Sequence, residues 1–201
     1  MRVYLSGKQI LGFVLLMLFL SGALYLHFFP PNVPKVSGAF IPYDHLATEE
    51  TDPYFLNGKP PTNEKTIWAV RRYATVQDCL LRSERDADKP DLRKIAWHNM
   101  RNRNVANVCL FRIFSSLQTP AAVEKWFESQ GLDTRYPGHN KLGESFMIIG
   151  KNDLNRSRFL MVGAGYVQRR FAIWIAYAEV IQATWSKHGK LQAVSYSLNT
   201  L

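Results

Sequence analysis

Two glycine-containing stretches begin like known catalytic motifs but do not complete them. Gly143 to Ser145 begins like the nucleophile elbow of a hydrolase, but Met147 stands where the closing glycine is required. Gly163 to Gly165 begins like a dinucleotide-binding loop, but Gln168 stands in place of the third glycine and no clear helix follows. Paired glycines in a strand more often mark a bulge or close packing, so neither stretch predicts an active site.

Acidic residues and histidines do not form a metal-binding pattern. Asp86 to Asp91 starts like a calcium loop, but Asp91 takes the glycine position and Trp97 the position of the bidentate glutamate. The five histidines are scattered, with no HExxH motif and no pair at helical ligand spacing. The sequence predicts no metal, no cofactor and no enzymatic activity, although a site built from distant residues would leave no pattern in one sequence.

Basic residues give the clearest pattern with a chemical meaning. The net charge of +9 is uneven, because residues 67–113 carry +5, residues 114–201 carry +4, and the earlier residues sum to zero. Cations interleaved with tryptophan can bind phosphate groups or an acidic polymer, and nucleic acid is the least favoured of these partners. A solvated basic face is the alternative. The candidate contacts form two groups, Arg93, Lys94, Trp97, Arg101 and Arg103, and then Arg169 and Arg170.

The two cysteines, Cys79 and Cys109, predict a disulfide. Neither belongs to a CxxC motif, so a zinc ribbon or a thioredoxin-like site is unsupported. An even pair in an oxidising compartment favours a bridge. Closing a loop of about thirty residues would stabilise the domain by roughly 3–4 kcal/mol on loop-entropy grounds. The alternative is two buried thiols that never meet.

These residues must be positioned by one domain, which we expect over residues 67–201. Capping and apolar spacing predict helices over 76–86, from Pro90 to about Met100, and from Pro120 to Gly131. Val105 to Leu117 is rich in β-branched and aromatic residues, and it predicts a central strand. Cys79 would then lie on a helix and Cys109 on the strand packed against it.

The pattern after the third helix is typical of an antiparallel sheet. Strands are predicted at 146–149, 158–162, 171–185 and 191–198, with a hairpin connection at 186–190. A helix is the alternative for 171–185. The whole order predicts an α+β domain with a mostly antiparallel sheet and two to three helices. It is compatible with the curved cone of NTF2-like domains, which also occur in periplasmic parts of secretion machines, but no motif supports a family assignment.

Residues 10–29 form an apolar run of twenty residues without a formal charge. As a helix this run spans about 30 Å, the thickness of the bilayer core. Arg2 and Lys8 precede it, so residues 1–9 are expected in the cytoplasm and the domain outside, in the periplasm or extracellular space. Ser21 to Ala23 would suit a signal peptidase, and a cleaved signal is therefore the alternative. We predict an uncleaved anchor in the inner (plasma) membrane.

Residues 30–66 predict a tether, because they contain seven of the ten prolines. Exposed aromatic residues in a tether usually dock on something. Phe40, Tyr43, Tyr54 and Phe55 are therefore candidates for contact with a partner, and the alternative is that they fold back on their own domain.

Together these features predict a non-enzymatic, single-pass membrane protein. Its exported domain would be an accessory or assembly subunit of a membrane complex, in contact with membrane lipid and with larger membrane proteins. The alternative hypothesis is a membrane-tethered module that binds an acidic polymer or lipid headgroups through its basic face.

Overall fold

The computed structural model describes Met17 and residues 36–56, 58–100, 102–139, 145–153 and 176–200. The residues from 36 onward belong to one compact unit, Val33–Leu201. Apart from Met17, the predicted anchor lies outside the described residues, and so does the predicted strand at 158–162. Within the described ranges, no helix is long and apolar enough to cross a membrane.

Among the described residues, the helices precede the sheet in the chain. They are α1 (Glu64–Arg72), the single turn α2 (Arg82–Arg85), α3 (Arg103–Leu117) and α4 (Pro120–Ser129). Helix α1 begins at Asn63, whose side chain accepts hydrogen bonds from the backbone N–H groups of the first turn. It packs on α3, and α3 packs on the last strand of the sheet.

The helix predicted over 76–86 is only partly present. Its capping box forms, because Thr75 and Asp78 exchange hydrogen bonds, but a 3-10 turn and the short α2 follow it. The chain becomes extended at Leu80, where it bridges Ile95. The backbone of this segment therefore pairs with residues 94–96 and does not continue a helix.

The helix predicted from Pro90 to Met100 is wrong. Residues 94–96 pair with the extended backbone at residues 79–81 and therefore cannot be helical. Within residues 90–100, only a 3-10 turn forms, at Trp97–Asn99. The apolar stripe was still informative, because Leu92, Ile95 and Met100 are all buried.

The strand predicted for Val105 to Leu117 is also wrong, since these residues form most of helix α3. Asn102 caps it by accepting a hydrogen bond from the N–H of Val105 at 3.0 Å. The helix is surrounded by other elements, and 12 of its residues are buried. A helix that is apolar all round lacks the polar face that reveals the helical period, so β-branched and aromatic content favoured a strand.

Helix α4 confirms its prediction. Thr119 caps it and Pro120 occupies its first turn. Gly131, with φ of 72°, ends the helix in the left-handed conformation, and the N–H of Leu132 bonds back to Phe127 at 3.0 Å.

In the described part of the second half of the domain, four antiparallel strands form a sheet in the order β1-β2-β3-β4. The strands are Asp133–His139, Ser145–Asp153, Ala176–Ser186 and Leu191–Thr200. The predictions at 146–149 and 191–198 are confirmed, as is the strand assignment over 176–185. A hairpin joins β3 to β4, closed by the Ser186 N–H bonding to the Lys190 carbonyl at 2.8 Å.

The core lies between the helices and this sheet. Its centre contains large aromatic side chains in edge-to-face contact, with Phe114 5.1 Å from Trp126 and 5.5 Å from Phe127 between ring centroids. Strand β2 approaches this cluster through Gly150. A Cβ atom there would lie 2.8 Å from the ring of Phe127, so any other residue would force the ring or the strand to shift.

Residues 36–56, here called the strap, lie against the domain although their proline content predicted a tether. The N–H of Ser37 bonds to the Ser129 carbonyl at 3.1 Å, and Thr48 bridges Thr75. Ile41 and Tyr54 are buried in the core. The strap is part of the folded unit, and helix α1 also begins inside the predicted tether.

Candidate functional site

The predicted disulfide is present. Cys79 and Cys109 are bonded with a Cα–Cα distance of 5.4 Å, and both residues are buried. Cys109 lies on α3 and not on the predicted strand. The bridge therefore joins the 3-10 turn before α2 to helix α3, and both of its residues belong to the hydrophobic core.

Arg93 and Lys94 were predicted to contact a polyanion, but the structure gives both internal partners. Arg93 donates to Asp91 through Nε and Nη2, each at 2.8 Å. Its Nη1 donates to the carbonyls of residues 37–39 at 3.2, 2.7 and 2.8 Å, which holds the start of the strap. Lys94 donates to Glu84 at 2.7 Å.

These pairs are charged at neutral pH. The hydrogen bond from Lys94 lowers the pKa of Glu84. Burial raises the pKa of Asp91, but hydrogen bonds from Arg93 outweigh it, and the pKa lies below its ordinary value. The same bonds raise the pKa of Arg93 and of Lys94. Each cation is thus matched by a carboxylate, which leaves little net charge for an external polyanion.

The other polyanion candidates are not brought together. Trp97 is 1 % exposed and packs 6.5 Å from Trp126, so it belongs to the core. Arg103 is exposed on the first turn of α3. Arg101 lies outside the described residues, and so do Arg169 and Arg170.

Most of the predicted partner-contact aromatics pack on their own domain. Tyr54 is buried, and Tyr54 and Phe55 each meet Phe111 edge-on at 5.2 Å between centroids. Tyr43 donates from its hydroxyl to the Pro90 carbonyl at 2.9 Å. Phe40 is the exception, because it is 40 % exposed.

A buried arginine on α3 fixes the middle of the strap. Arg112 has no exposed surface, and its Nη1 donates to the carbonyls of Thr48 and Asp52. Its Nη2 is bonded to the Glu49 carboxylate, and Nε donates to the carbonyl of Tyr73 at 3.5 Å. These four hydrogen bonds connect one guanidinium group to four residues of an otherwise irregular part of the chain. Arg112 therefore fixes the conformation of the loop at residues 48–53.

A cavity of about 300 Å³ opens between this loop, the end of α3 and the β3–β4 hairpin. Its volume is at the lower end of those of small-molecule sites. One part of the wall is apolar and the other carries polar and charged groups. The cavity is lined by His45, Thr51, Asp52, Pro53, Phe55, Phe111, Ser115, Gln118, Gly189, Lys190 and Leu191.

His45 is the residue of this cavity best suited to acid–base chemistry, but both of its ring nitrogens already form hydrogen bonds. Nε2 lies 3.0 Å from Asp52 Oδ2, and Nδ1 lies 2.9 Å from Gln118 Nε2. If the amide nitrogen of Gln118 donates a hydrogen bond to Nδ1, the hydrogen of the neutral ring lies on Nε2, and this N–H group donates a hydrogen bond to Asp52. Thr51 donates to the same Asp52 oxygen at 2.8 Å. The ring is oriented on both sides and presents no open nitrogen to a ligand.

Gln118 is the residue of this site whose own backbone is strained. Its φ of 60° and ψ of −49° place it in a γ-turn with positive φ, closed by the Thr119 N–H bonding to the Leu117 carbonyl at 2.6 Å. A residue with a Cβ rarely adopts this conformation, and such strain often marks a functional site. The turn aims the amide at His45, while the carbonyl accepts from Trp185 Nε1 at 3.3 Å.

Sequence reasoning did not find the cavity, because its residues come from three distant segments. His45 is one of the five scattered histidines that fit no metal-binding motif, and Gln118 was not singled out. One signal was present. Arg112 is the only charged residue between Arg103 and Glu124, and a lone cation in an apolar run predicts a buried partner. Within the described ranges, no group of three or more metal-ligating side chains is present.

Comparisons with known proteins identify no relative. No protein-family model matches the chain. No curated protein and no solved structure matches it either. The function is therefore inferred from the residues of this chain.

Proposed function

We propose that the protein is a non-enzymatic, single-pass membrane protein whose exported α+β domain is an accessory or assembly subunit of a membrane complex. The Cys79–Cys109 bridge is the observation that carries this proposal. Disulfides persist in oxidising compartments, which supports a periplasmic or extracellular domain. The uncharged run at 10–29, preceded by Arg2 and Lys8, supports an anchor with a cytoplasmic N-terminus.

The geometry of the cavity favours binding or a structural role over catalysis. A general base needs a ring nitrogen within reach of the substrate proton. Both nitrogens of His45 are already bonded, to Asp52 and to Gln118. A ligand would have to displace one of these bonds before the imidazole could transfer a proton.

The strap supports contact with a partner at its exposed beginning. Phe40 remains 40 % exposed, while its backbone neighbours are fixed by Arg93. Lys89 lies 5.6 Å from the centroid of its ring. An aromatic side chain on a rigid backbone loses little entropy on binding and is typical of interface anchors.

Co-purification of the full chain tests this proposal. The tagged protein, at its native level, is extracted from membranes in mild detergent, and the size and composition of its complexes are measured. We expect larger membrane proteins to co-purify with the wild type, and Phe40→Ser to lose them while Ser83→Ala, exposed on α2, retains them. A monodisperse monomer for the wild type would contradict the proposal.

Binding of an acidic polymer or of lipid headgroups is the second candidate. Among the described cations predicted for it, Arg103 alone is exposed without an internal carboxylate partner. Affinity for such a ligand should fall steeply with added salt. The finer assignment of the fold to NTF2-like cones stays a prediction, supported by helices that pack on an antiparallel sheet.

A further inference from the structure

Helix α1 presents an exposed tryptophan in the middle of a basic face. Trp68 is 54 % exposed, whereas Trp97, Trp126 and Trp185 are each 1 % exposed or less. A single exposed apolar side chain is common on protein surfaces, so the residues around Trp68 decide whether it marks a contact.

The residues around Trp68 form one continuous arc. At 100° per residue, the exposed side chains lie within about 120° of the helix circumference, with Trp68 near the middle. The opposite side carries the buried residues Ala69 and Val70 and packs on α3. The arc, here called the Trp68 face, consists of Glu64, Lys65, Trp68, Arg71 and Arg72.

The Trp68 face carries three cations and one carboxylate, a formal charge of +2. In the described part of the chain, no carboxylate forms an ion pair with Lys65, Arg71 or Arg72. The helix dipole favours cations in the last turn, and this explains part of the pattern. It does not explain an indole placed between them.

We propose that the Trp68 face docks on the anionic surface of the bilayer. Tryptophan prefers the interface between headgroups and hydrocarbon, and arginines are attracted by anionic headgroups. An acidic protein would also attract Arg71 and Arg72. The membrane is favoured because the apolar run at 10–29 is in the same chain. This inference rests on the proposed anchor.

Fluorescence of the full chain in vesicles tests the docking. The wild type and Trp68→Phe are reconstituted into vesicles of phosphatidylcholine alone or with one third phosphatidylglycerol, with and without lipids brominated near the headgroup. The difference between the two proteins isolates the emission of residue 68. Residues 10–29 contain no tryptophan, so the anchor adds no signal.

We expect brominated lipids to quench the Trp68 emission at least twofold in the anionic vesicles and little in the neutral ones. High salt should remove the quenching, and so should Arg71→Gln with Arg72→Gln. A control with two other exposed cations neutralised, Lys125→Gln with Lys187→Gln, should keep it.

Three results would overturn the inference. Trp68 emission could be unquenched in anionic vesicles, or quenched equally in neutral ones. It could also be protected from acrylamide only as protein density rises, which would indicate a protein partner. Failure of the chain to stay in vesicles after alkaline extraction would instead refute the proposed anchor, so the two failures are distinguishable.

Discussion

Replacing Arg112 with methionine should destabilise the domain by about 3 kcal/mol. The guanidinium is completely buried and is bonded to the Asp52 carbonyl and the Glu49 carboxylate. Methionine fills much of the space but donates no hydrogen bond.

The magnitude follows from the partners that are left behind. The Thr48 carbonyl still accepts a hydrogen bond from the Asp52 N–H at 2.9 Å in the variant, so losing its bond to Arg112 costs little free energy. The Asp52 carbonyl keeps no other described donor, and a buried unsatisfied acceptor costs about 1–3 kcal/mol. The side chain of Glu49 is 39 % exposed, so water can solvate its charge and the loss there is about 1 kcal/mol. The sum is about 2–4 kcal/mol, at the lower end of the 3–5 kcal/mol expected when one partner of a fully buried pair is removed.

Urea unfolding of the full chain in detergent, followed by tryptophan fluorescence, measures this loss. Arg103→Gln changes an exposed cation on the same helix and should stay within about 0.5 kcal/mol of the wild type. Limited proteolysis should also cut the Arg112→Met protein within residues 48–53 first, because the loop loses its main fastening. A loss below 1 kcal/mol, with no new cleavage there, would refute the reasoning.

Three further outcomes follow from single features of the structure. Folding lowers the pKa values of Glu84 and Asp91, so their contribution to stability is complete above their unfolded pKa values near 4 and is lost as the pH falls through their folded pKa values. The urea midpoint should therefore decline in acid, and Glu84→Gln with Asp91→Asn should make that decline shallower. An equal slope in the wild type and the double variant would contradict this. Gly150→Ala should cost about 1–3 kcal/mol in urea unfolding, because the new Cβ overlaps the packed ring of Phe127, and an unchanged midpoint would show that the ring can move. Gln118→Gly should be more stable than Gln118→Ala by about 1–2 kcal/mol, since glycine adopts positive φ without strain; the reverse order in thermal unfolding would refute the strained turn.

Local chemistry in the sequence predicted those parts of the fold that depend on neighbouring residues. Thr119 and Pro120 start a helix and Gly131 ends it, and each acts within one turn. The hairpin over 186–190 is likewise closed by its own residues. The pairing of Cys79 with Cys109 was also predictable, because two cysteines allow only one bridge within the chain.

The failures came from interactions between distant segments. Helix α3 resembles a strand in composition because burial on all sides removed its polar face. The strap resembles a tether because the groups that fasten it, Arg93 and Arg112, lie about sixty residues further along the chain. The cavity at His45 was hidden for the same reason, since Gln118 and Lys190 reach it from other elements.

The state of Cys79 and Cys109 in protein taken from native membranes tests the central claim most directly. The membranes are denatured in the presence of an alkylating reagent without reductant, and the peptides are analysed by mass spectrometry. An exported domain predicts unlabelled cysteines and one peptide pair joined by a bridge between these two residues. Two fully alkylated thiols would show a reduced protein and would contradict the oxidising location on which the proposed function depends.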